Sequence, residues 1–286
     1  MSNDNRVLVL IGADNGFGKY IAEDFAKAGY SILLNSLDEI ELKDIANDIS
    51  NTIGNKERIA YMVGNSSDEN FSEKLMDEAL QRFGSIDVLI NNGKIMIEPS
   101  KFNSGDNEES KIQPSPYFVL EEFEFVDART KGIYQSIRSA IKRMLNSNKN
   151  NCSIINISSC QDCIPQFVAD TYTASKSGVD PYTDSMAHIE TITKSIALEL
   201  ADAGIRVNGI IPGIVDTDTN KDIIKNDQKR EQKIKEIPIK RFARPQEISK
   251  VALFLASEDA SYITGAMIPV DGGLMLSRPN YFIEVH

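Results

Sequence analysis

Tryptophan is absent from this 286-residue chain, and only two histidines and three cysteines are present. The histidines, His188 and His286, are far apart, and Cys160 and Cys163 form a C-x-x-C pair without a second pair of ligands. Zinc sites need three or four clustered ligands, and a disulfide framework needs an even set of cysteines. The sequence therefore predicts no metal site and no structural disulfides.

Long apolar runs and an excess of positive charge are also missing. No stretch approaches the roughly 20 apolar residues that cross a bilayer, and the first six residues lack the apolar centre of a signal peptide. The chain has 31 basic and 42 acidic residues, a net charge of −11. Nucleic acids and anionic membranes attract basic surfaces. We therefore expect a cytoplasmic protein that binds neither nucleic acid nor membrane.

Short apolar runs alternate with helix-length segments along almost the whole chain. The runs lie at 6–11, 31–35, 58–63, 87–91, 153–158, 206–211 and 267–271. This alternation is typical of a parallel sheet covered by helices on both faces. No change in composition marks a linker between domains. The sequence predicts a single α/β domain over residues 1–286, a doubly wound Rossmann fold with a parallel seven-stranded sheet.

Two segments have the character of insertions. Residues 99–116 are rich in Ser, Asn, Pro and charged residues, which bury too little apolar surface to order themselves. Residues 180–189 begin with Asp180-Pro181, a favourable N-cap followed by a favourable first helical residue. We therefore expect a helix to start at Pro181.

A glycine-rich turn follows the first apolar run directly. The order is a strand at 6–11, the turn Gly12-Ala-Asp-Asn-Gly16-Phe-Gly18, and a helix from Lys19 to Ala28. Glycines let the backbone approach phosphate groups, and the helix N-terminus supplies free N–H groups and a favourable dipole. The segment therefore predicts a binding site for the pyrophosphate of a dinucleotide.

The sequence Tyr172-Thr-Ala-Ser-Lys176 is a candidate proton-transfer site. Residues four apart share a face of a helix, so both side chains can reach one bound molecule. A nearby ammonium group lowers the pKa of a phenol from its usual value of about 10. Ser159, at the end of the run 153–158, can bring a hydroxyl to the same place.

These motifs resemble those of the short-chain dehydrogenase/reductase family over about residues 6–273. The resemblance also rests on Asn91-Asn92-Gly93, on the segment Ile205 to Gly213 followed by Thr217, and on Ile263 to Gly273. It implies an NAD(P)-dependent oxidoreductase that transfers a hydride between a nicotinamide cofactor and a small alcohol/carbonyl substrate.

The resemblance assigns the catalytic roles. Tyr172 would be the general acid/base, and Ser159 would orient the substrate oxygen. Lys176 would lower the pKa of Tyr172 and bind the nicotinamide ribose. The substrate would be covered by the charged segment 218–240, which we expect to differ in order with and without ligand.

The resemblance also implies a set of cofactor contacts along the chain. Pro212, Gly213 and Thr217 would seat the carboxamide, and the segment 91–93 would pass beside the adenosine and ribose. The full expected set is Gly12, Asn15, Gly16, Phe17, Gly18, Ser36, Asn65, Ser66, Asn91, Gly93, Tyr172, Lys176, Pro212, Gly213, Val215 and Thr217.

The family commonly forms tetramers, so we expect a homo-oligomer, either a tetramer or a dimer. The apolar C-terminal region suits burial between subunits. It consists of Ala252, Leu253, Leu255 and Ala256 together with Ile263 to Val270.

The chain also departs from the family pattern. Lys94 replaces a glycine, Asn65-Ser66 replaces an Asp-Val pair beside the adenine, and Arg129 stands where a relay asparagine is expected. These departures leave open an alternative function, a degenerate nucleotide-binding relative with little or no turnover.

A second tyrosine also fits part of the family pattern. Tyr182-Thr-Asp-Ser-Met186 repeats the tyrosine motif ten residues later, but a methionine stands in place of the lysine. The spacing from Ser159 and the presence of Lys176 favour Tyr172.

The residues at the end of the second strand indicate whether the cofactor is NAD or NADP. Ser36 stands at the ribose position, where an acidic residue would indicate NAD, and no Arg or Lys is present at 15, 36 or 37 to bind a 2′-phosphate. Asp14 and Asp38 would repel that phosphate. The sequence therefore favours NAD mildly over NADP.

Overall fold

The computed structural model describes residues 6–92, 120–147, 151–160 and 181–276. The strands are β1 Val7–Ile11, β2 Ser31–Ser36, β3 Ile59–Val63, β4 Val88–Asn91, β5 Cys152–Ile157, β6 Ile205–Pro212 and β7 Met267–Val270. The helices are α1 Gly18–Lys27, α2 Glu39–Ile53, α3 Glu69–Phe83, α4 Leu120–Asn146, α5 Pro181–Leu200, α6 Lys221–Ile224, α7 Asp227–Glu236 and α8 Pro245–Ala256.

The seven strands form one parallel sheet in the order β3-β2-β1-β4-β5-β6-β7. This confirms the doubly wound Rossmann fold, and each strand lies within one residue of its predicted bounds. The chain first winds outward from β1 to β3, then returns to β4 on the other side of β1. The carboxyl ends of β1 and β4 therefore flank the point where the winding reverses, which is where such sheets bind ligands.

Apolar side chains fill both faces of the sheet, as continuous apolar strands require. Along β1, Leu8 and Leu10 pack on the face covered by α1, α2 and α8. Val9 and Ile11 pack on the opposite face, which α3, α4 and α5 cover. All four side chains are buried because successive residues of a strand point to opposite faces.

Local signals fix the bounds of several helices. Asp38 and Asp68 are the N-caps of α2 and α3, and their side chains accept hydrogen bonds from the N–H groups of Glu41 and Phe71. Helix α5 spans Pro181–Leu200, which matches the helix start predicted at Pro181. The rest of that insertion, like the insertion at 99–116, lies outside the described residues.

The expected contact region between subunits needs a correction. Ala252, Leu255 and Ala256 on α8 are fully buried inside the protomer, where they pack into the core beside the sheet. They are therefore not available to a second subunit. Exposed apolar side chains are found instead at Phe254, which is 41% exposed, and at the fully exposed Tyr262.

The described residues contain neither a membrane-spanning helix nor a cluster of metal ligands. None of the helices there combines the length and the apolar character needed to cross a membrane. In the same part of the chain, no three His, Cys, Asp or Glu side chains are grouped as metal ligands.

Candidate active site

The expected site residues that the structure describes lie at the carboxyl edge of the sheet, after or at the ends of six neighbouring strands. From β3 to β6 in spatial order these are Asn65 and Ser66, Ser36, the turn from Gly12 to Gly18, Asn91, Ser159, and Pro212 with Gly213. Residues as far apart in sequence as Gly12 and Gly213 therefore meet because parallel strands end at one edge. Gly93, Tyr172 and Lys176 lie outside the described residues.

The glycine turn uses its three glycines in two ways. Gly12 and Gly16 have φ angles of 75° and 47°, in the left-handed region that favours glycine. Gly18 instead allows a close approach, because a Cβ there would lie 2.6 Å from the carbonyl oxygens of Gly12 and Ala13. Any side chain at residue 18 would push α1 away from the turn.

Two neighbouring strands hold the glycine turn in place. The N–H groups of Gly12 and Ala13 both donate to the carbonyl oxygen of Asn35 on β2, at 2.8 and 3.1 Å. From the end of β4, Asn92 Nδ2 donates to the carbonyl oxygens of Gly12 and Asn15, at 2.8 and 3.2 Å. The turn is therefore fixed before any ligand binds.

Helix α1 starts at this turn without a capping side chain. Its N-cap, Phe17, makes no side-chain hydrogen bond, whereas α2, α3 and α7 begin at Asp38, Asp68 and Asn226, which cap them. The first N–H groups of a helix need an acceptor, and they attract anions. The start of α1 thus fits a phosphate group, and the residues present fit the pyrophosphate of a dinucleotide.

A buried polar network lies behind the edge, between the sheet and two helices. Asn91 Oδ1 accepts a hydrogen bond from Ser136 Oγ at 2.7 Å, and its Nδ2 donates to Asn156 Oδ1 at 2.9 Å. Asn156 Nδ2 donates in turn to Thr193 Oγ1 at 2.9 Å. All four residues are almost completely buried. The Asn91 side chain therefore bonds other residues of the protein. The expected contact of Asn91 with the cofactor would then be made by its backbone.

Sequence reasoning missed most of this network, although one signal was available. Asn156 is the single large polar residue within the apolar run of β5, and it is fully buried. A buried amide in a central strand needs partners. Its partners, Asn91 on β4 and Thr193 on α5, are 65 and 37 residues away, and only the pairing of β4 with β5 and the packing of α5 on the sheet bring them together.

Ser159 lies two residues beyond β5, and its neighbours are anchored on both sides. Ser158 N–H donates to the carbonyl oxygen of Ile210 on β6 at 2.9 Å, which continues the pairing of the two strands. Cys160 is fully buried in an apolar cluster with residues of β6 and of the segment after it. Ser159 itself is partly exposed. A partly exposed hydroxyl between two fixed neighbours suits the predicted role of orienting a substrate.

The end of β6 brings the expected carboxamide-binding residues to the same edge. A Cβ at Gly213 would lie 2.6 Å from Asp271 Cα, so a glycine is needed where β6 and β7 end side by side. Val215 is buried and pairs with Ala243, and Thr217 precedes a short 3₁₀ turn at 218–220. The backbone after Pro212 therefore contacts the end of β7 and the segment before α8, next to the candidate site.

The expected adenine-binding residues follow β3. Asn65 Oδ1 accepts a hydrogen bond from Ser67 N–H at 2.9 Å, and Ser66 lies next to it with its carbonyl oxygen bonded to Ser72 Oγ. Helix α4 passes closely, because a Cβ at Gly132 would lie 2.7 Å from Ser67 Oγ. The amide group of Asn65 thus keeps only its N–H₂ donor for a ligand.

Acidic side chains lie near Glu41, just after the strand that carries Ser36, the expected ribose-binding residue. The pKa of Glu41 is raised above its usual value by partial desolvation, and then by the carboxylates of Asp14, Asp38 and Asp218, while Lys19 opposes the shift. The buried Ser36 lies beside this group, and its hydroxyl accepts a hydrogen bond from Asp38 N–H at 3.2 Å. We call Asp14, Asp38, Glu41 and Asp218 the acidic rim.

Comparison with known proteins agrees with this architecture. The family model described as enoyl-(acyl carrier protein) reductase matches residues 12–275. A glucose 1-dehydrogenase of Bacillus subtilis is 33% identical over 95% of this chain and 95% of its own length. A 3-oxoacyl-[acyl-carrier-protein] reductase of Thermotoga maritima is 27% identical over 96% of this chain and all of its own length.

A solved structure shows the same likeness in three dimensions. A short-chain dehydrogenase/reductase from Brucella melitensis, described as a glucose/ribitol dehydrogenase, has a TM-score of 0.75 and 28% identity. The match covers 96% of this chain and 98% of that one. The fold and these relatives place the chain among the nicotinamide-dependent oxidoreductases with a Rossmann fold. The chain belongs to the short-chain dehydrogenase/reductase family.

Proposed function

We propose that this protein interconverts an alcohol and a carbonyl compound with NAD(H) or NADP(H). The observation that carries the proposal is the position of the glycine turn and Ser159 at one edge, with only β4 between their strands. Neighbouring strands are about 4.8 Å apart, so the two features are separated by roughly 10 Å, within the length of one dinucleotide. The named activities of the two relatives, on a sugar and on an oxoacyl group, support the same chemistry.

In this proposal the protein supplies orientation and a proton. A bound nicotinamide cofactor supplies or accepts the hydride. Tyr172 transfers the proton of the substrate oxygen, and Lys176 lowers the pKa of that tyrosine. Ser159 hydrogen-bonds the same oxygen and so holds the reacting carbon in place.

Tyr182 is the second candidate for the proton-transfer residue. It is the second residue of α5, the helix that Thr193 ties to β5, so its backbone lies in the first turn of that helix. However, Met186 follows one turn later and carries no charge to lower a phenol pKa. We therefore propose Tyr172 and Lys176 as the catalytic pair.

We also propose a preference for NAD over NADP. A 2′-phosphate carries close to two negative charges and needs cationic or strongly donating partners. The acidic rim would instead place the carboxylates of Asp14, Asp38 and Glu41 near it, opposed by Lys19, while Asp218 is paired with Lys221. The buried hydroxyl of Ser36 offers no charge to offset this repulsion.

A cofactor absorbance assay with a panel of sugars, oxoacyl esters and simple alcohols and ketones tests the activity. We expect oxidation or reduction of at least one pair, abolished by Ser159→Ala. Cofactor binding without turnover of any pair would support the degenerate alternative, which the arginine at residue 129 of α4 favours. That arginine stands three residues before Gly132, where the family pattern expects a relay asparagine.

We further propose that the protein is a homo-oligomer. Strand β7 is an edge strand whose residues are all at least partly exposed, and Phe254 and Tyr262 add exposed aromatic surface nearby in sequence. An apolar edge of this kind favours association. Light scattering at micromolar concentration tests this proposal, and a monomer there would contradict it.

A further inference from the structure

The segment from Lys221 to Arg244 concentrates positive charge in an acidic protein. It holds nine basic and four acidic residues, a net charge of +5, while the whole chain has −11. Nearly a third of the 31 basic residues therefore lie in one short stretch of sequence. We call it the basic segment. It contains α6 and α7 and leads into α8.

The basic segment is attached beside Ser159. Its apolar residues pack in one cluster with Cys160, the residue after Ser159, and with residues that follow β6 and β7. The cluster consists of Cys160, Ile211, Ile214, Ile237, Phe242 and Leu274, with Ile223, Ile224, Ile234 and Met267 packed against it. The positive charge is therefore anchored at the edge of the sheet where the substrate would bind.

Some of these cations are matched by carboxylates and some are not. Ion pairs join Lys221 to Asp218 at 2.8 Å, Lys233 to Glu236 at 2.9 Å, and Arg241 to Glu247 at 2.7 Å. Within the described parts of the chain, no ion pair is formed by Lys225, Lys229, Arg230 or Lys235. The basic segment thus keeps positive charge that its own carboxylates do not match.

Arg230 is the unmatched cation one turn before Ile234 on α7, and its side chain is exposed. Ile234 packs against the cluster that contains Cys160, and Arg230 precedes it by four residues, so both share one face of the helix. Lys229 is one residue earlier, rotated by about 100° from Arg230 and by about 140° from Ile234, and so lies away from the cluster. The periodicity that seats Ile234 therefore places Arg230 on the face of α7 that packs on the cluster containing Cys160.

Positive charge that the carboxylates of the protein leave unmatched attracts an anion. A guanidinium group offers paired N–H donors that match the oxygens of a carboxylate or a phosphate.

We propose that the substrate is a small molecule bearing a carboxylate or phosphate group, and that Arg230 binds this group while Ser159 holds the reacting oxygen. This inference rests on the proposed function and names its substrate class. The acidic rim would then disfavour extra negative charge on the cofactor, whereas the basic segment would attract negative charge on the substrate.

The test compares matched pairs of compounds that differ in charge, namely acetoacetate with ethyl acetoacetate and glucose 6-phosphate with glucose. Turnover is followed by cofactor absorbance, and binding to the cofactor-loaded protein is measured by calorimetry at low salt. We expect at least one anion to bind more tightly than its neutral partner. Because binding is measured directly, the result does not depend on turnover.

Arg230→Gln and Lys229→Gln form a matched pair of variants, since both remove one exposed positive charge from α7. Loss of a charged hydrogen bond costs about 10- to 100-fold in affinity, so Arg230→Gln should weaken anion binding by that factor and raise KM more than it lowers kcat. Lys229→Gln should change anion binding by about twofold or less. Neither variant should alter the binding of the neutral compounds.

Three results would overturn the inference. The first is that no anion binds, or that the neutral partners bind as tightly. The second is unchanged anion binding in Arg230→Gln. The third is an equal loss in both variants, which would place the anion on the outer side of α7, as an acidic protein partner would require. Absence of turnover with intact anion binding would instead count against the proposed function alone.

Discussion

The side chain of Asn156 donates a hydrogen bond to Thr193 across 2.9 Å, and neither residue has any exposed surface. This bond joins β5, the strand that precedes Ser159, to α5, the helix that follows the segment containing Tyr172 and Lys176. Through Asn91 and Ser136 the same network reaches β4 and α4. The relative position of the sheet edge and both helices therefore depends on one connected set of buried polar groups.

We predict that Thr193→Val lowers the free energy of unfolding by about 1–3 kcal/mol, because it leaves the buried amide of Asn156 without its partner. Valine has nearly the shape of threonine, so packing changes little. Urea unfolding followed by circular dichroism measures the effect. Thr191→Val, on the exposed side of the same helix, is the control and should be close to neutral. Equal stability of the two variants would show that the bond contributes little.

The catalytic tyrosine is tested by removing one hydroxyl at a time. Tyr172→Phe should lower kcat by about 10²–10⁴-fold, the usual contribution of general acid–base catalysis, with cofactor binding preserved. Tyr182→Phe should retain most of the activity. The opposite pattern would assign proton transfer to Tyr182 at the start of α5 and would leave Lys176 without its proposed partner.

Cofactor preference is tested at the acidic rim. NADH should bind more tightly than NADPH, and Asp38→Asn should narrow the difference by about 3- to 10-fold because one repelling charge is removed. Asparagine caps helices as well as aspartate does, so the cap that Asp38 gives α2 is kept. Asp48→Asn, about 15 Å further along the same helix, is the matched control. Calorimetric titration with NADH and with NADPH measures both affinities. Tighter binding of NADPH to the unmodified protein would refute the proposed preference for NAD.

Stability at low pH should depend on Glu73, which links α3 to α4. Its pKa is lowered from 4.5 to about 2, chiefly by the hydrogen bond from Lys142 and further by Arg143 and Ser139, against a smaller effect of burial. Below about pH 4.5 the unfolded chain takes up a proton that the folded chain resists. The stability given by Glu73 is therefore complete above that pH and is lost as the pH falls toward 2.

We expect Glu73→Gln to cost about 1 kcal/mol at pH 7 and to flatten the loss of stability between pH 4.5 and 2. Thermal unfolding at a series of pH values measures both effects. Glu78→Gln is the control, since Glu78 pairs only at 3.6 Å with Arg82 on the surface of the same helix. An unchanged pH profile in Glu73→Gln would show that the contacts with α4 do not stabilise the charged form.

Local pattern was sufficient to predict the strands, the glycine turn and the start of α5. Three local patterns carried these predictions: apolar runs of strand length, the glycines at 12, 16 and 18, and the pair Asp180-Pro181. Each acts on the conformation of neighbouring residues, so the resulting structure can be predicted from the sequence. Even the reason for each glycine differs, because Gly16 needs a positive φ and Gly18 needs space for the carbonyl oxygens beneath it. The parallel order of the sheet followed from the same alternation.

Other properties depend on which distant segments meet, and sequence reasoning placed some of them wrongly. Ala252 and Leu255 looked suited to a subunit contact, but packing of α8 against the core buries them within one protomer. Asn91 stays a predicted cofactor contact, but the hydrogen bonds of its side chain with Ser136 and Asn156 could not be read from the sequence. In both cases the residue type indicated burial or polarity, but the residues that it contacts lie far away in the sequence.

The sequence by itself determined the class of fold and the kinds of residue at the candidate site, because periodicity, glycine geometry and helix caps are local effects. Only the tertiary structure decided how charge is distributed around that site. Asp14, Asp38, Glu41 and Asp218 come from three separate parts of the chain and form one acidic rim. The basic segment is seated beside Ser159 because its isoleucines pack on Cys160. Electrostatic and packing energies depend on distance in space, and the fold sets that distance.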